Sequence, residues 1–253
     1  MKSFLTALKF LTIIPLGKVK GVEDQRKLAR SIIYFPLVGI LIGSVLVAID
    51  FILKPFFPGS LVNLVILVAL VVITGALHLD GFMDSMDGLF SGQNKNRILE
   101  IMRDSRVGSF ATVALVLLLL LKLFFLNEIQ SDIRWPVLIL MPALSRWTVI
   151  YSAWLYPYAR REGGGLGKVF AKSVSKRGFI GATILIIILS GLLLRLKGII
   201  TLLIVFGVLF WLTRWINKKI GGMTGDTYGA IIEVVEVVTL ITVYSVNFLN
   251  LQI

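Results

Sequence analysis

The sequence contains no cysteine, only one histidine (His78) and few charged residues. Without cysteine the chain can form neither disulfide bonds nor thiolate metal sites, and it has no cysteine nucleophile. A single histidine likewise excludes zinc or copper sites built from several imidazoles. If the chain uses a metal, we therefore expect a hard cation held by oxygen atoms, for which Mg²⁺ is the default.

Charged residues make up 16% of the 253 residues, against about 25% in a typical soluble domain, and long apolar runs take their place. A membrane span requires about 20 mostly apolar residues. We find no second domain and no convincing internal repeat. The sequence therefore predicts an all-α fold with one integral membrane domain over residues 1–253, and a tight helical turn at 195–197. About seven transmembrane helices are expected, at 31–53, 61–79, 110–126, 136–156, 178–195, 198–215 and 229–250.

The first residues have the pattern of a short helix that lies in the membrane interface. Polar side chains recur every third position at Ser3, Thr6, Lys9 and Thr12, with apolar residues between them. On a helix this spacing places the polar side chains on one face. Lys9 also interrupts the apolar stretch, which argues against a cleaved signal peptide. The alternative is that these residues are simply the end of the first span.

Lys and Arg residues are distributed unequally between the predicted loops. Twenty of the 26 lie within 2–30, 80–109, 157–177 and 214–228, which all fall on one side of the membrane. The other side holds Lys54, Lys122, Arg134, Arg195 and Lys197. Because cytoplasmic loops carry the excess of basic residues, we expect the first side to face the cytoplasm, with the chain in the cell membrane. The asymmetry also accounts for the net charge of +12 without a nucleic-acid partner.

Three aspartates, Asp80, Asp84 and Asp87, are spaced i, i+4 and i+7 where the second span reaches the cytoplasm. On a helix they share one face, so their charges repel one another and a divalent cation would relieve that repulsion. The neighbouring Gly81 and Gly88 allow close approach by a phosphate or by another helix. The alternative is a solvated helix end with an acidic stripe of no function.

Asp104 lies between two arginines, Arg103 and Arg106, in the loop that follows. A carboxylate flanked by cations suits a site for metal and phosphate, in which Asp104 completes the metal site and the arginines hold anionic oxygens. Ordinary juxtamembrane charge is the alternative.

A glycine run at 163–165, followed by Gly167, lies beside Arg160 and Lys168. The backbone N–H groups of such a run can cradle a phosphate, and Gly164 lies at its centre. The spacing is not that of a Walker loop, and the Lys-Ser/Thr pair is missing. A flexible basic loop explains the composition equally well.

A second glycine-rich motif opens the last span and contains Thr224 and Asp226, and Glu233 and Glu236 follow about two turns into the span. Placing ionisable residues within a span costs free energy, so we treat such residues as candidate functional residues by default. The alternative is a structural ion pair between helices, for which Arg146, a basic residue in mid-span, is the candidate partner.

Three motifs together resemble a known family: His78-Leu79-Asp80-Gly81-x-x-Asp84-x-x-Asp87-Gly88-Leu89-Phe90, Ile101-Met102-x-Asp104-Ser105-Arg106-x-Gly108 and Gly221-Gly222-x-Thr224-Gly225-Asp226. It is the cobalamin synthase family, the adenosylcobinamide-GDP ribazoletransferases, and the resemblance covers essentially the whole chain. Shorter segments agree with it: Phe10-Leu11-Thr12 with Pro15, Pro36-Leu37-Val38-Gly39, Ser145-Arg146-Trp147 and Tyr158-Ala159-Arg160. The chain departs from the family pattern at residues 82–83 and 85–86, where smaller side chains are expected, and the carboxylates are unaffected.

The resemblance implies a transferase that acts in the last steps of vitamin B12 assembly. In that reaction a ribazole 3′-hydroxyl attacks the phosphate attached to cobinamide in adenosylcobinamide-GDP, and GMP leaves. The product is adenosylcobalamin, or its 5′-phosphate when ribazole phosphate is the acceptor, and Mg²⁺ is the cofactor. The expected partners are these small molecules and the lipid bilayer, and the sequence leaves a homo-oligomer open.

We therefore expect Asp80, Asp84, Asp87 and Asp104 to be catalytic and to bind Mg²⁺. If a separate general base is needed, it is Asp84 or Asp87. The expected substrate-binding residues are Arg103, Arg106, Arg160, Gly164, Thr224, Asp226 and Glu233. Carboxylates combined with arginines suit phosphoryl transfer, because metal and arginine neutralise the charge of the phosphate.

Three other classes of membrane protein share part of this pattern of acidic residues. A polyprenyl transferase carries two Asp-rich motifs, whereas the motif around Asp226 holds one aspartate. A CDP-alcohol phosphotransferase would need Ala-Arg at positions 84–85. A transporter could use Asp80, Glu233 and Glu236 as an ion pathway, but transporter sites lie near the midplane and most of these carboxylates lie at one interface.

Overall fold

The computed structural model describes residues 2–15, 25–160, 166–171 and 173–249. These residues form eleven α-helices, and the described part of the chain contains no β-strand. The predicted all-α class is confirmed. The helices are α1 Lys2–Leu11, α2 Gln25–Ser31, α3 Phe35–Leu53 (after a 3₁₀ turn at Ile32–Tyr34), α4 Gly59–Thr74, α5 Leu77–Leu89, α6 Lys95–Ile101, α7 Ser109–Glu128, α8 Arg134–Leu155, α9 Leu166–Phe170, α10 Lys176–Ile220 and α11 Gly225–Phe248.

Five segments of the described chain are long and apolar enough to cross a membrane: α3 with the turn and helix before it, α7, α8, α10 and α11. A sixth results if α4 and α5 are counted as one bent span. These are the helices of a multi-pass membrane protein, as predicted, but the predicted count of seven is not confirmed. The difference arises at two places, the connection between α4 and α5 and a break inside α10.

The 45-residue α10 is broken at Arg195, whose φ of 53° and ψ of −135° lie outside the helical region. A Cβ built on Gly198 would lie 2.0 Å from the carbonyl oxygen of Ser190. In a continuous helix, residues eight apart are separated by about 12 Å, so the chain must turn back at Arg195. The two halves of α10 therefore lie side by side, which agrees with the turn predicted at 195–197.

The predicted span 61–79 is wrong at its end, because α4 stops at Thr74. Gly75 and Ala76 both adopt the left-handed conformation, with φ of 59° and 55°. Glycine commonly ends a helix in this way, whereas the same conformation costs an alanine roughly 1–2 kcal/mol. The two residues set α5 at 88° to α4. The acidic motif therefore lies on a helix of its own.

The backbones of α3 and α8 are in direct contact at two glycines spaced four residues apart. A Cβ built on Gly39 would lie 2.3 Å from the carbonyl oxygen of Pro142, and one built on Gly43 would lie 2.5 Å from that of Leu138. Small residues at this spacing allow membrane helices to approach closely. The contact helps to bury α8, which lies at the centre of the bundle.

The predicted N-terminal helix is present over Lys2–Leu11, but its polar face is not wholly exposed. Thr6 and Thr12 are buried, and their hydroxyls donate to backbone carbonyls four residues earlier. The ring of Phe10 stacks on that of Phe35 with centroids 5.9 Å apart. Part of the predicted polar face therefore packs against the protein, and α1 covers the beginning of α3.

Contacts at the two ends of the bundle show which of the predicted loops lie at each end. At one end Lys197, beside the turn of α10, donates to Asn247 near the end of α11 at 2.7 Å. At the other end Lys219 donates to the carbonyl oxygen of Leu89 at 2.6 Å. The end of α11 and the turn of α10 thus lie together, opposite the loops that carry most of the basic residues.

Candidate active site

Helices α5 and α11 cross in backbone contact at two glycines. A Cβ built on Gly81 would lie 2.8 Å from the carbonyl oxygen of Asp226, and one built on Gly229 would lie 3.0 Å from that of His78. A side chain at either position would push the helices apart. Of the two interpretations that the sequence leaves open for Gly81, approach by another helix is the one that the structure shows. The crossing brings the beginning of the acidic motif beside Asp226.

The beginning of α11 is held by a cap and by the segment 157–159 that follows α8. Thr224 caps the helix, and its side chain and backbone exchange hydrogen bonds with Thr227. Ala159 N–H donates to the carbonyl of Met223, and Met223 N–H donates to that of Pro157, both at 2.8 Å. The Tyr-Ala-Arg segment and the second glycine-rich motif, which lie far apart in the sequence, are therefore joined.

Asp80, Asp84 and Asp226 form what we call the carboxylate cluster. Asp84 lies within electrostatic range of both other aspartates and of Arg160. Arg160 Nη2 donates to Asp226 Oδ2 at 2.8 Å, and the Thr224 hydroxyl donates to the same oxygen at 3.3 Å. Asp80 is exposed, and Asp84 and Asp226 are partly buried. Three carboxylates beside the guanidinium of Arg160 leave an excess of negative charge.

Asp87, the third aspartate of the acidic motif, is engaged elsewhere. Its carboxylate accepts hydrogen bonds from the backbone N–H groups of Gly108 at 2.7 Å and Ala111 at 2.8 Å. These groups lie at the beginning of α7, where N–H groups lack intrahelical partners. Asp87 also lies within electrostatic range of Asp84, but the two hydrogen bonds hold its carboxylate at the beginning of α7, so we do not count it in the carboxylate cluster.

Asp104 pairs with Arg106 and not with the carboxylate cluster. Arg106 Nη2 donates to Asp104 Oδ2 at 2.6 Å, and Arg106 Nε donates to Oδ1 at 3.0 Å. These hydrogen bonds lower the pKa of Asp104 to about 2, so the carboxylate is ionised at neutral pH. Arg103 and Arg106 are exposed in the same loop. The predicted grouping of Asp104 with the other aspartates thus stays a prediction.

Gly164, the predicted centre of a phosphate cradle, lies outside the described residues. Gly167, at the end of the same glycine run, packs against the beginning of α11, where a Cβ would lie 2.6 Å from Gly225 N. Gly167 itself therefore lies beside the beginning of α11, next to Asp226.

Glu233 and Glu236 belong to a buried network of ion pairs. Lys122 Nζ contacts Glu233 Oε2 and Glu236 Oε2, each at 2.5 Å, and Arg146 pairs with Glu236. The assignment of Lys122 to an outer loop is wrong, because this residue lies within α7 and pairs with two carboxylates. The structure pairs Glu233 with Lys122 and does not bring it to the cavity described next. The structural ion-pair alternative agrees with this arrangement, and Arg146 is the partner of Glu236.

A cavity of about 240 Å³ lies beside the carboxylate cluster. Asp80, Arg160 and Asp226 line it, together with apolar residues of α1, α3 and α9. His78 and Tyr228 also line the cavity, and within the described part of the chain His78 Nε2 and the Tyr228 hydroxyl have no hydrogen-bond partner. The cavity thus connects an acidic region to an apolar one.

Sequence reasoning missed the apolar region of this cavity. The amphipathic pattern of α1 is the available signal for it, because an apolar helix face can pack on the protein as well as on the membrane. The pairing of the 157–160 loop with the beginning of α11 had no sequence signal, because backbone hydrogen bonds between distant segments leave no periodic pattern.

Comparisons with known proteins agree over nearly the whole chain. A family model described as Cobalamin-5-phosphate synthase matches residues 3–244. The adenosylcobinamide-GDP ribazoletransferase of Desulforamulus reducens is 39% identical over 233 residues, covering 92% of this chain and 92% of that protein. The protein of the same name from Fusobacterium nucleatum subsp. nucleatum is 36% identical over 264 residues, covering 92% and 94%. That of Thermoanaerobacter pseudethanolicus is 37% identical over 235 residues, covering 92% and 93%. No solved structure matches this chain.

Proposed function

This chain belongs to the cobalamin-5-phosphate synthase family, and on that premise we propose that it transfers the cobinamide phosphate of adenosylcobinamide-GDP to ribazole or ribazole 5′-phosphate. The products are adenosylcobalamin, or its 5′-phosphate, and GMP. The names of the similar proteins, which are adenosylcobinamide-GDP ribazoletransferases, support this reaction.

The crossing of α5 and α11 is the observation that carries this proposal. It assembles Asp80, Asp84 and Asp226 with Arg160, although these residues come from three separate parts of the chain. Phosphoryl transfer depends mainly on positioning and on the neutralisation of charge, and carboxylates with an arginine can provide both when a cation is present.

We propose that Asp80 and Asp84, with Asp226 beside them, hold Mg²⁺. No three His, Asp or Glu side chains of the described residues form a ready-made metal site. A complete protein cage is not required, because Mg²⁺ is commonly bound by one or two carboxylates together with substrate phosphates and water. The oxygen donors and the excess negative charge of the carboxylate cluster fit this ion. When bound there, it would polarise phosphoryl oxygens and neutralise developing charge.

In the proposed step, the 3′-hydroxyl oxygen of the acceptor attacks the phosphorus attached to cobinamide. A new P–O bond forms, the bond from that phosphorus to the bridging oxygen of the diphosphate breaks, and GMP leaves with the electron pair. Asp84 is the residue that we propose to take the hydroxyl proton, because Asp87 already accepts two backbone hydrogen bonds. Arg160 would stabilise the anionic oxygens of the phosphate.

We propose that Arg103, Arg106 and Arg160 bind the GDP part of the donor together with the glycine loop at 163–167. Two observations support this assignment. Arg103 and Arg106 are exposed in the loop that leads to α7, and Gly167 packs against Gly225 at the carboxylate cluster. Arginine suits diphosphate binding because its planar guanidinium can form two parallel hydrogen bonds.

We also propose that the protein lies in the cell membrane with this site facing the cytoplasm. The excess of Lys and Arg in the segments around the site supports this orientation. Water-soluble, phosphate-bearing substrates would then reach the site without crossing the bilayer.

The reaction can be tested with purified protein in liposomes that receive adenosylcobinamide-GDP, Mg²⁺ and either ribazole or ribazole 5′-phosphate. We expect GMP and a corrinoid product in equal amounts, and only when an acceptor is present. Absence of product with both acceptors, or GMP release that does not depend on an acceptor, would contradict the proposal.

A further inference from the structure

Three phenylalanine rings line the cavity beside the carboxylate cluster, and no step of the proposed reaction involves them. Phe10 of α1, Phe35 of α3 and Phe170 of α9 all line the cavity. We call these three residues the aromatic wall. They come from three separate elements, so the wall exists only in the folded chain.

The three rings pack against one another. The centroids of Phe10 and Phe170 lie 5.2 Å apart and those of Phe35 and Phe170 lie 5.3 Å apart, both edge to face, while Phe10 and Phe35 are stacked at 5.9 Å. Phe35 and Phe170 are almost completely buried. Ring packing of this kind adds to the stabilisation from apolar burial. It also holds in place the ring of Phe10, which is the partly exposed member of the three.

The size of the cavity limits which part of the two substrates can enter it. A volume of about 240 Å³ lies just below the range of roughly 300–1,000 Å³ that is usual for small-molecule sites. A nucleoside with one bicyclic base is of this size. A corrin macrocycle with its adenosyl ligand is several times larger and must remain outside.

We infer that the cavity is the acceptor subsite, in which the apolar benzimidazole base of ribazole contacts the aromatic wall and the ribose points toward the carboxylate cluster. This inference rests on the proposed function. The apolar rings of this cavity would contact the base. Asp80 and Asp226, which line the same cavity, would lie beside the reacting hydroxyl. The donor then approaches the cluster from the side of Arg103 and Arg106, which do not line this cavity.

In this arrangement α1 and α9, which carry Phe10 and Phe170, take part in substrate selection. The aromatic wall has no hydrogen-bonding side-chain atoms, so it favours an apolar benzimidazole over a purine, whose polar ring atoms would lose their hydrogen bonds to water. Tyr228 lines the same cavity, with its hydroxyl unpartnered among the described residues. A hydroxyl at this position is available to the ribose.

The test compares Phe10→Leu and Phe170→Leu with the parent protein in liposomes. Leucine keeps an apolar side chain but removes the ring, so each variant should raise KM for ribazole about five- to tenfold. KM for adenosylcobinamide-GDP should stay within twofold. The preference for ribazole over an α-riboside of adenine should fall by a similar factor. Phe51→Leu is the matched control, because Phe51 lies on α3 and is 81% exposed.

Thermal unfolding of each variant shows whether the fold is intact, and binding of ribazole alone, measured as a shift in Tm, provides a readout without turnover. Loss of that shift in Phe10→Leu and Phe170→Leu, but not in Phe51→Leu, supports the inference. If the parent is active and both wall variants keep the parent KM and the parent base preference, the acceptor subsite lies elsewhere. If the parent itself forms no product, the proposed function fails instead.

Discussion

The backbone N–H of Gly108 donates to the carboxylate of Asp87 at 2.7 Å, so one aspartate of the acidic motif caps a different helix. Ala111 N–H donates to the other carboxylate oxygen at 2.8 Å. The carboxylate satisfies two N–H groups that have no intrahelical partner, and its charge is favourable at the positive end of α7. A Cβ at position 108 would lie 2.5 Å from Asp87 Oδ1, so a larger residue there would displace the carboxylate.

Replacement of Asp87 with alanine is expected to lower the free energy of unfolding by about 1–2 kcal/mol, as the loss of a helix cap does. Asp87→Asn should retain part of this stability, because the amide oxygen can still accept one hydrogen bond. The measurement is thermal unfolding in detergent. Asp80→Ala is the control and should keep the parent Tm. An unchanged Tm for Asp87→Ala, with loss of the response to Mg²⁺, would instead make Asp87 the metal ligand that its spacing suggests.

Hydropathy was sufficient to predict most helices, because a span must be long and apolar wherever it lies in the bundle. It failed at the end of α4, where the bend depends on a contact with a distant segment. Ile13 N–H donates to the carbonyl of Ile73 at 2.9 Å, and the side chain of Ile13 packs against Gly75. The N-terminal segment thus stabilises a turn that residues 61–79 alone do not specify.

The spacing of the acidic residues predicted which side chains share a helix face, but not what packs against that face. Asp80 and Asp84 face the beginning of α11, whereas Asp87 meets the beginning of α7. Likewise, the depth of Glu233 showed that it needs a partner without identifying Lys122. Periodicity describes one helix at a time, and partners on other helices depend on the tertiary fold.

Replacement of Arg106 with alanine should raise KM for adenosylcobinamide-GDP about tenfold, which corresponds to ~1.4 kcal/mol of lost binding. The physical reason is the loss of a charge-assisted contact with the diphosphate. KM for ribazole should not change. Arg97→Ala is the matched control, because Arg97 lies nearby and pairs with Glu100 at 2.9 Å on the surface. Equal changes for both substrates would argue against donor binding by Arg106.

Replacement of Lys122 with alanine should destabilise the protein by about 3–5 kcal/mol, because it leaves the buried carboxylate of Glu233 without its cationic partner. Glu236, by contrast, keeps Arg146 as its partner. Adding Glu233→Gln to the same chain should restore part of the lost stability by removing one uncompensated charge. Both effects can be measured as Tm and as the yield of folded protein in the membrane. Lys54→Ala is the control, since Lys54 is exposed. A Lys122→Ala variant as stable as this control would show that the network contributes little.

Reporter fusions should place the N-terminus in the cytoplasm and the C-terminus outside. Most Lys and Arg residues lie in the segments around the carboxylate cluster, whereas Asn247 lies at the opposite end beside Lys197. A C-terminal alkaline phosphatase fusion should therefore be active and a C-terminal green fluorescent protein fusion dark. The reverse pattern would place the site on the outer side of the membrane.

Replacement of Asp80 or Asp84 with alanine should lower kcat by about 10²–10³-fold while the Tm without metal stays near that of the parent. These carboxylates repel each other when no cation is bound, so removing one of them should not lower the folding stability of the metal-free protein. The rise in Tm on addition of Mg²⁺ should be lost. Asn should rescue activity poorly, because it keeps the shape of the side chain but not its charge. Activity and the Mg²⁺-dependent rise in Tm are measured for each variant.

The variant Asp104→Ala distinguishes between two possible metal sites: the carboxylate cluster and the four-aspartate site that the sequence predicts. Asp104 is bound to Arg106 in the structure, so its variant should keep a near-parental rise of Tm with Mg²⁺. If it instead loses that response as fully as Asp80→Ala, then the loop carrying Asp104 must fold over the cluster when metal binds. If Asp80→Ala and Asp84→Ala keep both activity and metal response, the carboxylate cluster is not the metal site, and its role is reduced to pairing with Arg160 across the helix crossing.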